Sequence, residues 1–120
     1  SAFRRDIDAM YALAERSERL EELIPSLYAM LGRNEDALGG ISHAYRLVAT
    51  DTGYACAFAL RDGRFAELGN GSPVDVTVTG REANLLAVFQ RRLNPVTALA
   101  LRRIRVEGSM AALMRLSSFL

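Results

Sequence analysis

His43 is the only histidine and Cys56 the only cysteine among 120 residues, so the side chains that most often carry general acid–base or nucleophilic work are supplied once each. His43 opens an aromatic and aliphatic run and reads as a surface or structurally bonded imidazole. Cys56 lies inside the apolar stretch Ala55–Leu60, where a thiol behaves as a small buried side chain. One cysteine permits neither an intramolecular disulfide nor a cysteine-based zinc cluster. The sequence therefore assigns no catalytic residue, no metal ligand and no cofactor.

Two other features bear on binding. Gly39-Gly40 and Gly69-Asn70-Gly71 lack the glycine spacing that wraps backbone amides around a phosphate, and they read as turns. Arg91-Arg92 and Arg102-Arg103-Arg105 carry enough charge to meet phosphates. No aromatic stacking residues are interleaved with them, however, and charges on the outer face of a strand are usually solvated, so nucleic acid is not an expected partner.

Net charge is +1, from 15 basic and 14 acidic residues. Its distribution is uneven: residues 1–40 hold 5 Arg against 8 acids, and residues 81–120 hold 7 Arg against 2 Glu. An anion would be met by the last third of the chain. All basic residues are arginine, a usage that a GC-rich bacterial genome explains as readily as a need for bidentate contacts. No apolar run reaches the roughly 20 residues needed to span a bilayer, and no basic-then-apolar leader opens the sequence, so membrane contact is expected to be transient at most and the location cytoplasmic.

At this length one compact unit with one core is expected over residues 1–120, composed of a helical segment (1–40) and a core of sheet and helices (41–120). From Phe3 to Leu31 the apolar positions recur at three- and four-residue steps, which predicts helix, either kinked at Pro25 or split so that Pro25 opens a second helix. Asn34–Leu38 predicts a short helix ended by Gly39-Gly40. His43–Ala49, Tyr54–Leu60 and Phe65–Leu68 then read as an antiparallel meander, with Asp62-Gly63 as its hairpin signal. Neither face of Tyr54–Leu60 is polar, so that strand should be covered on both sides.

Val74, Val76 and Val78 alternate with polar residues as a fourth strand. Thr79 and Glu82 have capping-box spacing and predict a helix through Arg92. Asn94-Pro95 opens a short turn or helix to Leu101. Arg103–Glu107 alternates as a half-exposed fifth strand, and Gly108-Ser109 caps a final helix from Met110. The fold class is α+β.

Taken in order, Val74-Asp75-Val76-Thr77-Val78-Thr79, the helix to Phe89, Leu93-Asn94-Pro95 with Ala98, and Ile104-Arg105-Val106-Glu107-Gly108-Ser109-Met110 with the closing helix resemble the C-terminal half of SCP-2 sterol-carrier domains. Residues 41–73 fit that family's opening meander by pattern, and the first 40 match in being helical. The resemblance implies a five-stranded, largely antiparallel sheet packed with helices, enclosing an apolar tunnel for a fatty acyl chain, sterol-like, isoprenoid or phospholipid ligand, and no catalytic residue. The family commonly has glycine before the basic strand, where this chain has Arg102.

On that resemblance the ligand-binding set is Phe58, Leu60, Val78 and Ile104 from strands, Leu85, Leu86, Phe89 and Leu99 from the middle helices, and Met110, Leu113, Met114 and Ser117 from the last helix. Met114 is expected on the tunnel wall, so that Met114→Trp would fill it, with Arg115 on the opposite side. The expected function is non-catalytic binding or transfer of an apolar ligand. The alternative is an accessory or interaction module in lipid or quinone metabolism. Ala55/Ala57/Ala59 and the long first helix offer apolar surface for a homodimer.

Overall fold

A computed structural model describes residues 1–120. Two helices open the chain, α1 (Ala2–Arg16) and α2 (Leu20–Arg33), followed by a 3-10 turn at Glu35–Leu38. Strands β1 (His43–Ala49), β2 (Ala55–Arg61), β3 (Arg64–Leu68) and β4 (Val76–Gly80) come next. Helices α3 (Glu82–Phe89) and α4 (Pro95–Ala100), strand β5 (Ile104–Gly108) and helix α5 (Met110–Ser117) complete the chain. The architecture is α+β, as the alternation patterns predict.

The helical split falls at Ser17–Arg19, not at Pro25, which sits inside α2. Two partners make that break favourable. The Glu22 carboxylate accepts from the amides of Glu18 and Arg19 at 3.2 and 3.0 Å, and the Leu20 amide donates to Glu82 at 3.1 Å. Helix-start amides without an internal partner are thereby satisfied. Pro25 is solvent-exposed, so the carbonyl it leaves without a partner can turn to water.

The sheet order is β3-β2-β1-β4-β5. All neighbours are antiparallel except β1 and β4, which run parallel with Tyr45 opposite Val76 and Ala49 opposite Gly80. Side-chain alternation gives the sheet two unlike faces. Tyr45, Leu47, Phe58, Leu60, Val78 and Ile104 share the face covered by helices. Ala44, Arg46, Ala57 and Ala59 share the other.

The link from β3 to β4 must cross that second face, because it skips over β2 and β1. Arg46 holds it there: Nε donates to the Asn70 carbonyl at 2.8 Å, Nη2 donates to the Ser72 carbonyl, and Nη1 donates to Thr77 Oγ1 at 3.3 Å. Ala57 and Ala59, at 1% and 0% exposure, are thus inside the molecule, and the alanine face of β2 is not the dimer surface the sequence suggested. Their small side chains admit the crossing backbone.

Strand β4 extends to Gly80, so Thr79 stays in the sheet and the Thr79–Glu82 capping box does not form. The Glu82 amide instead donates to Asp51 at 2.9 Å, a bond that holds the Asp51 carboxyl below its ordinary range. Helix α3 ends at Phe89, three residues before the expected Arg92. The cause is Arg91, whose φ of 58° puts it in the left-handed region while Arg92 N–H reaches back to the Ala87 carbonyl at 2.9 Å.

Helix α4 ends the same way. Arg102 has φ 58° and Arg103 N–H bonds the Ala98 carbonyl at 2.8 Å. An arginine occupies each position where glycine would enter without steric cost. The Asp62-Gly63 hairpin is as the sequence predicts, with φ of 53° and 80°. A side chain at Gly63 would stand 2.5 Å from the Glu35 carbonyl.

A candidate lipid-binding cavity

Between the helical face of the sheet and the five helices lies a cavity of about 420 Å³. Its floor is the strand residues Tyr45, Leu47, Cys56, Phe58, Val78 and Ile104. Ile24 and Leu27 of α2 and Leu85, Val88 and Phe89 of α3 wall it on one side. Leu113 and Leu116 of α5, with Leu120, wall it on the other. Of 22 lining residues 16 are hydrophobic, so a polar solute would lose its hydration without replacement hydrogen bonds.

Polar side chains gather at one end. Arg91, Arg92, Asn94 and Ser117 line the cavity and are all exposed to solvent, marking its mouth. Arg46 borders the cavity too, but its guanidinium is tied down on the opposite face of the sheet. The Arg91 guanidinium lies 3.5 Å from the centre of the Tyr11 ring, a cation–π contact. Tyr11 in turn donates to the Leu120 carbonyl at 3.0 Å. The mouth is thereby braced from α1 and from the chain segment after α5.

Neither Arg91 nor Arg92 forms an ion pair. Arg91 does border a second, smaller hollow shared with Asp8 and Glu15, whose charges offset part of its own. Within the main cavity there is no histidine and no carboxylate. The Cys56 thiol is pushed up by burial, which keeps it protonated and poorly nucleophilic. His43 lies elsewhere, 3.9 Å from Asp75.

Seven of the twelve expected ligand-binding residues line this space: Phe58, Val78, Leu85, Phe89, Ile104, Leu113 and Ser117. Leu60 and Leu86 are buried in the core without reaching it, and Leu99 is half-buried away from it. Met110 and Met114 do not line it and are 41% and 49% exposed. The expected wall position of Met114 is therefore corrected. Ala112 takes the inward place, wholly buried, and its carbonyl accepts from Tyr45 Oη at 2.7 Å. A small residue at the closest approach of helix to sheet turns the two methionines outward. Arg115 does lie off the cavity, donating to the Gly40 carbonyl at 3.3 Å.

The lining residues outside the expected set come from the two opening helices, from β1 and β2, and from the mouth. Tyr11, Ile24 and Leu27 stood on visible helical stripes, but such stripes do not reveal which neighbour they face. Tyr45 and Leu47 could have been found by extending the alternation of β1 across its pairing with β2, which places them beside Phe58 and Cys56.

The model of the SCP-2 sterol transfer family matches residues 27–120. The chain belongs to that family. Solved structures agree on the fold. The palmitated SCP-2-like protein SCP2L2 of Aedes aegypti is 22% identical with a TM-score of 0.61, over 83% of this chain and 92% of that one. A ubiquinone synthesis protein, UbiJ-SCP2, is 15% identical with a TM-score of 0.62, over 80% and 84%. The stereoselective inverting sec-alkylsulfatase Pisa1 of a Pseudomonas species is 22% identical with a TM-score of 0.63 over 78% of this chain. The likeness spans only 15% of the sulfatase's own length. Comparison by sequence with curated proteins finds no match.

Proposed function

We propose that this SCP-2 family chain binds a lipid with a single apolar tail, the tail lying against Phe58, Leu27 and Leu113 and the polar head at the mouth beside Arg91, Arg92 and Ser117. The observation that carries the reading is the segregation of the cavity: a mostly apolar interior of about 420 Å³, with the solvent-exposed polar side chains Arg91, Arg92, Asn94 and Ser117 at its mouth. That volume is within the roughly 300–1,000 Å³ of small-molecule pockets. At about 30 Å³ per water-sized group it holds roughly a dozen such groups, one chain and not two.

Two unpaired guanidiniums at the rim favour an anionic head, since bidentate hydrogen bonds to carboxylate or phosphate are what this group makes best. The tail supplies the affinity. About ten buried methylenes at ~0.8 kcal/mol each give a ceiling near 8 kcal/mol, a Kd on the order of micromolar. A lining without histidine or carboxylate supports carriage in preference to chemistry. An accessory role with a collapsed pocket is less well supported, because the interior is open.

Mass spectrometry of organic extracts from purified protein, with displacement of a fluorescent fatty acid, tests the reading. Recovered lipid and displaceable binding at micromolar concentrations are expected. A protein that yields no lipid and binds no fatty acid there is not a carrier.

A further inference from the structure

Two hollows meet at Arg91. The main cavity and a second hollow of about 220 Å³ share Tyr11, Phe89 and Arg91 as a common wall, and the Arg91 guanidinium stacks on the Tyr11 ring at that boundary. Only three of the seven residues around the second hollow are hydrophobic, so it does not continue the tail site. Asp8 and Glu15 of α1 line it, on the same helical face as Tyr11. Neither carboxylate forms an ion pair. Gln90 lines it as well: its Nε2 donates to the carbonyls of Ala14 and Ser17 at 3.1 and 3.2 Å, which ties the end of α3 to α1 and leaves Oε1 as an acceptor.

Charge is thus ordered outward from the cavity. The apolar interior holds no carboxylate, and Arg91 and Arg92 stand at its mouth. Beyond Arg91, two carboxylates face one guanidinium, a net charge of −1 around the second hollow. A fatty acid would satisfy the arginines and leave those carboxylates repelling its head. A head with phosphate next to the tail and an ammonium beyond it complements every zone in the right sequence.

We propose that the second hollow is an ammonium subsite, and that the ligand is a single-tailed zwitterionic phospholipid of the lysophosphatidylethanolamine class. Its phosphate meets Arg91 and Arg92, and its ammonium lies in the hollow walled by Asp8, Glu15 and Gln90. At about 30 Å³ per water-sized group the hollow holds roughly seven such groups, room enough for an ethanolamine. The inference rests on the carrier reading for the tail and adds the outer half of the head.

The test is displacement of a fluorescent fatty acid by lauroyl lysophosphatidylethanolamine and by lauroyl lysophosphatidylglycerol, both below their micellar concentrations. The two share tail and phosphate and differ in ammonium against hydroxyls. The ethanolamine lipid should displace the probe at a concentration lower by about fivefold, as solvent-exposed ion pairs allow. Asp8→Asn with Glu15→Gln, at exposed positions, should abolish that preference. Asp36→Asn with Glu67→Gln removes the same charge from exposed positions that border neither hollow, and should keep it.

Equal displacement by the two lysolipids overturns the ammonium subsite and leaves the carrier reading standing. A preference that survives in Asp8→Asn with Glu15→Gln overturns it too, because the ammonium is then held elsewhere. So does a preference lost equally in Asp36→Asn with Glu67→Gln, which is a long-range effect of net charge. A fluorescent fatty acid that never binds the parent overturns the carrier reading itself and the subsite with it.

Discussion

The phenol of Tyr45, in the middle of the sheet, donates a 2.7 Å hydrogen bond to the carbonyl of Ala112 in the closing helix. The bond crosses 67 positions of sequence and sets the rotation of α5, which decides which of its side chains see the cavity. Tyr45 is 4% exposed and stacks on Phe58 with centroids 5.3 Å apart, so the ring is fixed independently of its hydroxyl.

Tyr45→Phe should therefore keep the ring and lose the tie. With a buried carbonyl left short of a donor, the expected cost is about 1–2 kcal/mol, read from denaturant unfolding. The pH dependence follows with its sign. Burial chiefly, with the charge of Asp75, pushes the Tyr45 phenol from 10.0 up to about 12. A folded pKa above the unfolded one means stability is complete below pH 10 and is lost as pH rises from 10 toward 12. Tyr54 is pushed to about 12 as well, again chiefly by burial. Tyr45→Phe should thus diminish, not abolish, alkaline destabilisation in that window.

Arg102 gives a prediction of the opposite sign. Its φ of 58° places a β-carbon where the left-handed region penalises one by about 1–2 kcal/mol, and its side chain makes no hydrogen bond or ion pair. Arg102→Gly should remove that penalty while adding back some unfolded-chain entropy, for a net gain of about 0.5–1 kcal/mol. Arg102→Ala keeps the β-carbon and should gain nothing. Thermal melting of the three proteins separates backbone strain from loss of charge.

The second face of the sheet depends on Arg46. Hydrogen bonds from a charged donor are worth about 1.5–3 kcal/mol each at best, less where water competes, so Arg46→Met should cost on the order of 2 kcal/mol overall. The local effect should be larger. Amide hydrogen exchange at Asn70–Ser72 is expected to accelerate more than in β1 or β2, because the crossover loses its anchor while the strands keep their ladder.

Much of this architecture was legible because alternation and spacing are local. The valines of β4, the Asn94-Pro95 helix start and the Ser109 cap on α5 each sit where their side-chain chemistry puts them; the hydroxyl of Ser109, for instance, accepts from the Ala112 amide at 3.0 Å. The errors arose where a distant partner outbid a local one. Glu82 had the spacing to cap its own helix with Thr79 but instead serves Leu20, 62 positions earlier. Arg91 ended α3 early because a left-handed arginine carries no signal that a glycine would. The methionines of α5 read as its inner face because they share an apolar arc with Leu113 and Leu116, whereas the Tyr45 bond turns the buried Ala112 inward and leaves them exposed.

That rotation yields the most discriminating prediction for the cavity. Leu113 lines it and is half-buried, while Met114, one residue on, does not line it and is half-exposed. Leu113→Trp should push an indole into space that the tail would occupy, costing at most about 1–3 kcal/mol in overpacking because the cavity yields room. Fatty-acid displacement should fall by an order of magnitude or more, since about three lost methylene positions at ~0.8 kcal/mol each exceed the 1.4 kcal/mol of a tenfold change. Met114→Trp should retain both stability, within about 0.5 kcal/mol for an exposed site, and fatty-acid binding in solution. Binding and melting are to be measured on the same parent and two variants. If Leu113→Trp stays folded and binds fatty acid as the parent does, the ligand lies elsewhere; if Met114→Trp alone loses binding, α5 is rotated from the orientation that the Tyr45–Ala112 bond fixes.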